Sequence, residues 1–138
     1  MTAYLDTSAL LRLVLGEPGA LEELRGADAL VSSELLAVES RRTIDRLRVK
    51  GRLPPEEAVE RLELVSEWLE AVDLVLLRAP ILARASDPLP LPLGSLDALH
   101  LATALVWRDR LDQPLVVATH DSVLGLAART FGFAVRGL

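Results

Sequence analysis

Two carboxylates stand at the ends of two apolar runs that lie far apart in the chain. Asp6 follows Ala3-Tyr4-Leu5, and Asp121 follows Leu115-Val116-Val117-Ala118-Thr119-His120. Runs of this kind read as buried strands of a parallel sheet. In open α/β sheets, ligands bind in the crevice at the carboxyl ends of the strands. Two strands that each end in Asp put two negative charges into one crevice. Like charges held close repel, so such a cluster calls for a cation.

Helical geometry adds two more acids. At about 100° per residue, Leu35, Leu36, Thr43 and Leu47 span one apolar arc, and Glu39 falls inside it. Glu34 falls on the opposite side with Arg41, Asp45 and Arg48, as a surface acid. A carboxylate on an inward arc needs a partner. An ion pair with Arg42, one turn on, or Arg46, two turns on, would supply one, and a place at the crevice edge would be the alternative. Asp97 lies in the first turn of an otherwise apolar helix. There it can either complement the helix dipole or join the cluster. Asp6 and Asp121 can each cap the helix that follows. Thr7, Ser8, Thr119 and Ser122 can cap as well, which would leave the acids free. Ser8 and Thr119 are hydroxyls near the crevice, suited to orienting an acid or a water, or to plain turns. His100, one turn after Asp97, and His120 read as neighbours of the acids or surface residues rather than catalysts. Trp68 and Trp107 read as core or interface residues.

The elements that must position these residues alternate as in an α/β fold with a mainly parallel sheet. A strand is expected at 2–5, a short helix from about Ser8 and a second helix from near Pro18. A strand follows at 29–31. Ser33 is the expected cap of a long helix to Lys50, ended by Gly51. Pro54-Pro55 opens the next helix, with an apolar stripe at Ala58, Leu62, Val65, Leu69 and Val72. A strand at 74–77 and a helix at 79–86 come next. Pro88, Pro90 and Pro92 then impose an irregular connection. A helix from Leu96 to about Leu111, with Ser95 as cap, leads to a strand at 115–118. A helix at 122–129 and a short strand near 133–135 close the chain.

The 138 residues suit one domain, 1–138, and 51% hydrophobic residues supply a core built from Leu, Val and Ala, since aromatics are only 4%. The absence of cysteine excludes disulfides, thiolate metal sites and a cysteine nucleophile. No stretch is apolar enough to span a membrane, and the N-terminus does not resemble a secretory signal. A cytoplasmic location is expected. The net charge of −5 gives no general support for nucleic-acid binding. Residues 41–52 nevertheless hold Arg41, Arg42, Arg46, Arg48, Lys50 and Arg52 against Asp45 alone. This run is either a solvated helix face or a local patch for phosphates, to which Arg12 is a further candidate contributor. A phosphorylated receiver would need a Lys at a late strand end, and Lys50 is the only Lys, in the wrong region. An Asp-x-Asp phosphatase fails because position 8 is Ser.

Leu5-Asp6-Thr7-Ser8-Ala9-Leu10, Glu39 within residues 33–39, Ser95-Leu96-Asp97-Ala98-Leu99-His100-Leu101-Ala102-Thr103-Ala104 and Ala118-Thr119-His120-Asp121 together resemble the PIN domain, with the VapC-type toxins of prokaryotic toxin–antitoxin pairs as the nearest kind. The resemblance covers essentially the whole chain. It implies a three-layer α/β/α fold and a ribonuclease dependent on Mg²⁺ or Mn²⁺. Asp6, Glu39, Asp97 and Asp121 match the acidic positions, and Ser8 and Thr119 match the supporting polar ones. Asp6, Asp97 and Asp121 are the expected metal ligands, and Arg12, Arg42 and Arg46 the expected RNA contacts. The resemblance also implies a homodimer and a small cognate antitoxin. A PIN nuclease of RNA processing with no toxin role, or a non-catalytic PIN-like binding module, would be the alternatives.

Overall fold

The computed structural model describes residues 1–138. Five strands form one all-parallel sheet: β1 (Thr2–Leu5), β2 (Ala29–Ser33), β3 (Val72–Val75), β4 (Leu115–Ala118) and β5 (Ala134–Arg136), in the order β3-β2-β1-β4-β5. Six helices accompany them: α1 (Thr7–Leu15), α2 (Leu35–Val49), α3 (Pro55–Ala71), α4 (Ala79–Ala85), α5 (Ser95–Arg108) and α6 (Ser122–Thr130).

Alternation along the central strand dictates three layers. Ala3 and Leu5 face a core shared with Leu10, Leu13 and Val14 of α1, Leu36 and Ile44 of α2, and Ala58, Val65 and Trp68 of α3. Tyr4 faces the opposite core with Leu101, Ala104 and Leu105 of α5 and Leu124, Ala127 and Ala128 of α6. Burial on both faces explains why the strands are short apolar runs and not alternating ones. The expected three-layer α/β/α architecture is what forms.

From β1 the chain builds outward to β2 and β3 on one side, then crosses to β4 and β5 on the other. The order reverses between β1 and β4, so the crevice opens at the carboxyl ends of these two strands. Pairing of Leu5 with Ala118, continued by the Asp6 N–H donating to the Ala118 carbonyl at 3.0 Å, holds the two ends side by side.

Several expected boundaries shift. The helix foreseen near Pro18 is only a 3-10 turn at Glu22–Gly26, because Gly19 at φ +79° turns the chain before a helix can propagate. β3 starts at Val72 and not at Leu74, directly out of α3, and α5 stops at Arg108. Gly94, not Ser95, is the cap position of α5, and it makes no side-chain capping bond. Ser33 ends β2; its hydroxyl accepts from the Leu35 N–H at 3.1 Å. The stripe expected on α3 is buried at Ala58 and Val65, and Trp68 joins it in the core.

Candidate active site

Asp6 follows the last residue of β1 and is the cap of α1. It is 5% exposed. Its Oδ2 accepts three bonds: from the Ser8 hydroxyl at 2.5 Å, from the Thr119 hydroxyl at 2.8 Å and from the Ser8 N–H at 3.3 Å. Its Oδ1 makes no hydrogen bond, and His100 Nε2 lies 3.9 Å from it. Asp121 is the cap of α6, with Oδ1 accepting from the Leu124 N–H at 2.8 Å and Oδ2 unbonded. Of the candidate caps, the acids themselves do this work. Capping uses one oxygen of each and leaves the other open.

Ser8 and Thr119 tie the two strand ends together. Thr119, fully buried, donates to Asp6 and accepts from the Asp121 N–H at 3.0 Å. Ser8 donates to Asp6 and accepts from the His120 N–H at 2.9 Å. Two hydroxyls thus join the end of β1 to the turn after β4. Gly137 lets the last strand run on against this turn, since a Cβ there would lie 2.3 Å from the Thr119 carbonyl oxygen.

Glu39, half-buried on α2, accepts from the Thr7 hydroxyl at 2.9 Å and bonds His100 Nε2 at 2.6 Å. The ion pair with Arg42 or Arg46 does not form, because Arg42 pairs with Asp45 at 2.9 Å. Burial pushes the Glu39 carboxyl up, but the His100 hydrogen bond and charge, with the Thr7 hydroxyl, outweigh it and bring it below the ordinary range. Burial likewise works against a charged His100, and the Glu39 bond with the charges of Asp6, Glu39 and Asp97 lifts it above the ordinary value. Asp97, half-buried at the start of α5, is raised first by burial and then by the charges of Asp121, Asp6 and Glu39, with His100 opposing. The four acids therefore share one electrostatic field.

His100 is the residue that sequence reasoning left between a neighbour of the acids and a surface residue, and the structure makes it the former. Only 1% exposed, it reaches Tyr4 through Nδ1, at 2.7 Å from the hydroxyl, and Glu39 through Nε2. Its position in the turn after Asp97 was the signal, but its partners come from β1 and α2. His120 lies apart from the acids. Its Nδ1 is 2.8 Å from the Gly137 carbonyl, which can only accept, so Nδ1 carries the proton. Arg12 Nη1, 3.2 Å from the same nitrogen, is then a contact and not a hydrogen bond.

No Arg or Lys pairs with any of the four acids. Their donors are all oxygen, the set that suits a hard divalent cation. No group of three or more acidic or His side chains is placed to hold a metal ion by itself. Mg²⁺ does not require one, since it keeps several waters and binds through one or two carboxylates. Beside the acids, a groove of about 300 Å³ is lined by Leu35, Val38, Glu39, Arg42, Thr43, Arg46 and Leu96. The structure thus brings Arg42 and Arg46 alongside Glu39, while Arg12 lies toward His120.

The model of the PIN domain matches residues 3–125. Ribonuclease VapC46 of Mycobacterium tuberculosis is 35% identical over 136 residues, which cover 96% of this chain and 94% of that protein. Ribonuclease VapC47 of the same species is 30% identical over 131 residues, covering 94% and 92%. A chain of a solved toxin–antitoxin complex from Klebsiella pneumoniae shares the fold, with a TM-score of 0.57 and 18% identity over 87% of each chain. A domain match over most of the length, and relatives alike nearly end to end, have one reading: the chain belongs to the PIN-domain family, among the VapC ribonucleases.

Proposed function

We propose that this protein is a divalent-metal-dependent endoribonuclease and the toxin of a toxin–antitoxin pair. What supports the reading is that Asp6, Glu39 and Asp121 all bear electrostatically on Asp97, and that no Arg or Lys pairs with any of the four, His100 being the one basic side chain beside Glu39 and Asp6. Asp6, Asp97 and Asp121 would hold Mg²⁺ or Mn²⁺. Such an ion supplies a lowered pKa for a water and neutralises charge on the scissile phosphate. The water's oxygen attacks phosphorus, the bond to the ribose 3′-oxygen breaks, and the products carry a 5′-phosphate and a 3′-hydroxyl.

The chain's own residues set the geometry. Ser8 and Thr119 fix Asp6 through Oδ2, so that Oδ1 is the face offered to the crevice. The Leu124 N–H does the same for Asp121. Glu39, with Oε1 engaged by Thr7 and His100, keeps Oε2 to orient a water. Arg46 has no carboxylate partner and shares a groove with Glu39, which suits it to an RNA phosphate beside the scissile one. Arg42, which pairs with Asp45, contributes less charge. Arg12 serves at the far side of the crevice. A small antitoxin that covers the acids, a homodimer and a cytoplasmic location complete this reading. No helix is long and apolar enough to cross a membrane.

The test is cleavage of tRNA and ribosomal RNA by the purified protein, with EDTA, Mg²⁺ or Mn²⁺, beside Asp6→Asn. Cleavage that needs metal and vanishes in the variant is expected. Asn preserves one acceptor oxygen for the cap, so the variant keeps its fold. Wild-type activity in Asp6→Asn, or in EDTA, would refute the assignment.

A further inference from the structure

His100 is a buried titratable group that the reaction as described does not use, yet its ring meets more of the site than any other side chain. Nε2 lies 2.6 Å from Glu39 Oε1, 3.5 Å from Thr7 Oγ1 and 3.9 Å from Asp6 Oδ1. Nδ1 lies 2.7 Å from the Tyr4 hydroxyl, which accepts from the Ser33 N–H at 3.2 Å. The two rings meet edge to face, 5.9 Å apart at 77°. A chain of contacts therefore runs from the backbone at the end of β2, through Tyr4 of β1 and His100 of α5, to Glu39 of α2.

We infer that His100 is a positioning residue: with Tyr4 behind it, it pins Glu39 through Oε1 and so presents Oε2 to the crevice. The inference rests on the nuclease reading above. A long Glu side chain on a helix samples many rotamers, and a carboxylate among other carboxylates is driven away from them. A buried N–H donor at 2.6 Å counters both tendencies. Because Glu39 and Asp6 reach the same nitrogen, His100 also fixes the spacing between α2 and the end of β1. A histidine that only filled the core would not need both nitrogens spent on partners from two other elements. The geometry carries a role as an orienting residue one step behind the acids, of the kind whose loss costs about 10–100-fold in metal affinity or activity.

The test is a double-mutant cycle between His100 and Glu39, read in two ways on the full-length protein. Mn²⁺ affinity is measured by calorimetry, and kcat and KM by cleavage of a defined RNA. His100→Ala is expected to lower kcat about 10–100-fold with little change in KM, and to weaken Mn²⁺ binding. His100→Gln, which keeps an N–H donor near the place of Nε2, should recover most of the loss. Tyr4→Phe should fall between them. In the Glu39→Gln background, His100→Ala should cost almost nothing further, because its route to the reaction has already been cut. Full additivity of the two substitutions would overturn the inference. So would a His100→Ala protein that melts lower yet keeps wild-type kcat and Mn²⁺ affinity. These failures differ from a failure of the nuclease reading, in which the wild type neither binds Mn²⁺ nor cuts RNA and both fall together.

Discussion

Thr119→Val removes one oxygen and nearly nothing else, because the two side chains have almost the same shape. Thr119 is fully buried, and its hydroxyl serves two partners. It donates to the Asp6 carboxylate at 2.8 Å and accepts from the Asp121 N–H at 3.0 Å. A hydrogen bond to a charged group contributes about 1.5–3 kcal/mol, and an orphaned buried donor costs about 1–3 kcal/mol. Asp6 keeps its two bonds from Ser8, and the Asp121 N–H is only partly shielded, so the lower half of each range applies. The sum is about 3 kcal/mol, a substantial fraction of the stability of an ordinary domain. At about 2.1 cal/mol/K per residue over 138 residues, the unfolding entropy is about 0.29 kcal/mol/K, so Tm should fall by about 10 °C. The assay is thermal unfolding in EDTA by circular dichroism, with Thr119→Ser as control. Serine keeps the hydroxyl and gives up one methyl, worth about 1 kcal/mol or 3 °C. A Val variant that melts within about 3 °C of the wild type, or together with the Ser variant, would refute the view that this hydroxyl fastens the two strand ends.

Asp97→Asn should abolish cleavage and yet raise the Tm of the metal-free protein by a few degrees, because burial and three neighbouring acids oppose its ionisation; a clear drop in Tm in EDTA would contradict the shared field. His100 and Glu39 make the metal-free stability depend on pH. The raised His100 stabilises fully below its ordinary value of 6.5 and loses this as pH climbs through its folded value, whereas the lowered Glu39 stabilises above 4.5 and loses this as pH falls through its own. In EDTA the pair should therefore help most between about pH 4.5 and 6.5, and urea unfolding across pH should show Glu39→Gln flattening both flanks. Arg46→Glu should raise KM several-fold, leave kcat within about twofold and reduce the salt slope of RNA binding by about 1 or more; an unchanged KM would remove Arg46 from the RNA path.

The acids, the strands and most helices were legible because their signals are local. The apolar runs at 2–5 and 115–118 announce buried strands, and a carboxylate after each announces the crevice. The stripe on α3 and the inward lean of Glu39 on α2 follow from the helical period alone. Local signals also left choices open or misled. Capping stood open between the acids and the nearby hydroxyls, and Asp6 and Asp121 do it, because the hydroxyls of Ser8 and Thr119 are taken up by bonds across the strand ends. The chain near Pro18 lacks the length between Gly19 and Gly26 to nucleate a helix.

What no local pattern could supply is which groups meet across the sheet. Glu39 had Arg42 and Arg46 within two turns, yet its partner is His100, 61 residues away. His100 in turn meets Tyr4 across 96 residues. Both pairings depend on the strand order β3-β2-β1-β4-β5, which sets α2 and α5 on opposite faces and lets their side chains converge only at the carboxyl end of β1. The sequence by itself determined which residues carry charge and which faces turn inward, through periods of two and 3.6 residues. Tertiary structure alone decided which of those charges share a crevice and which histidine holds them, because hydrogen-bond partners are set by distance in space and not by separation along the chain.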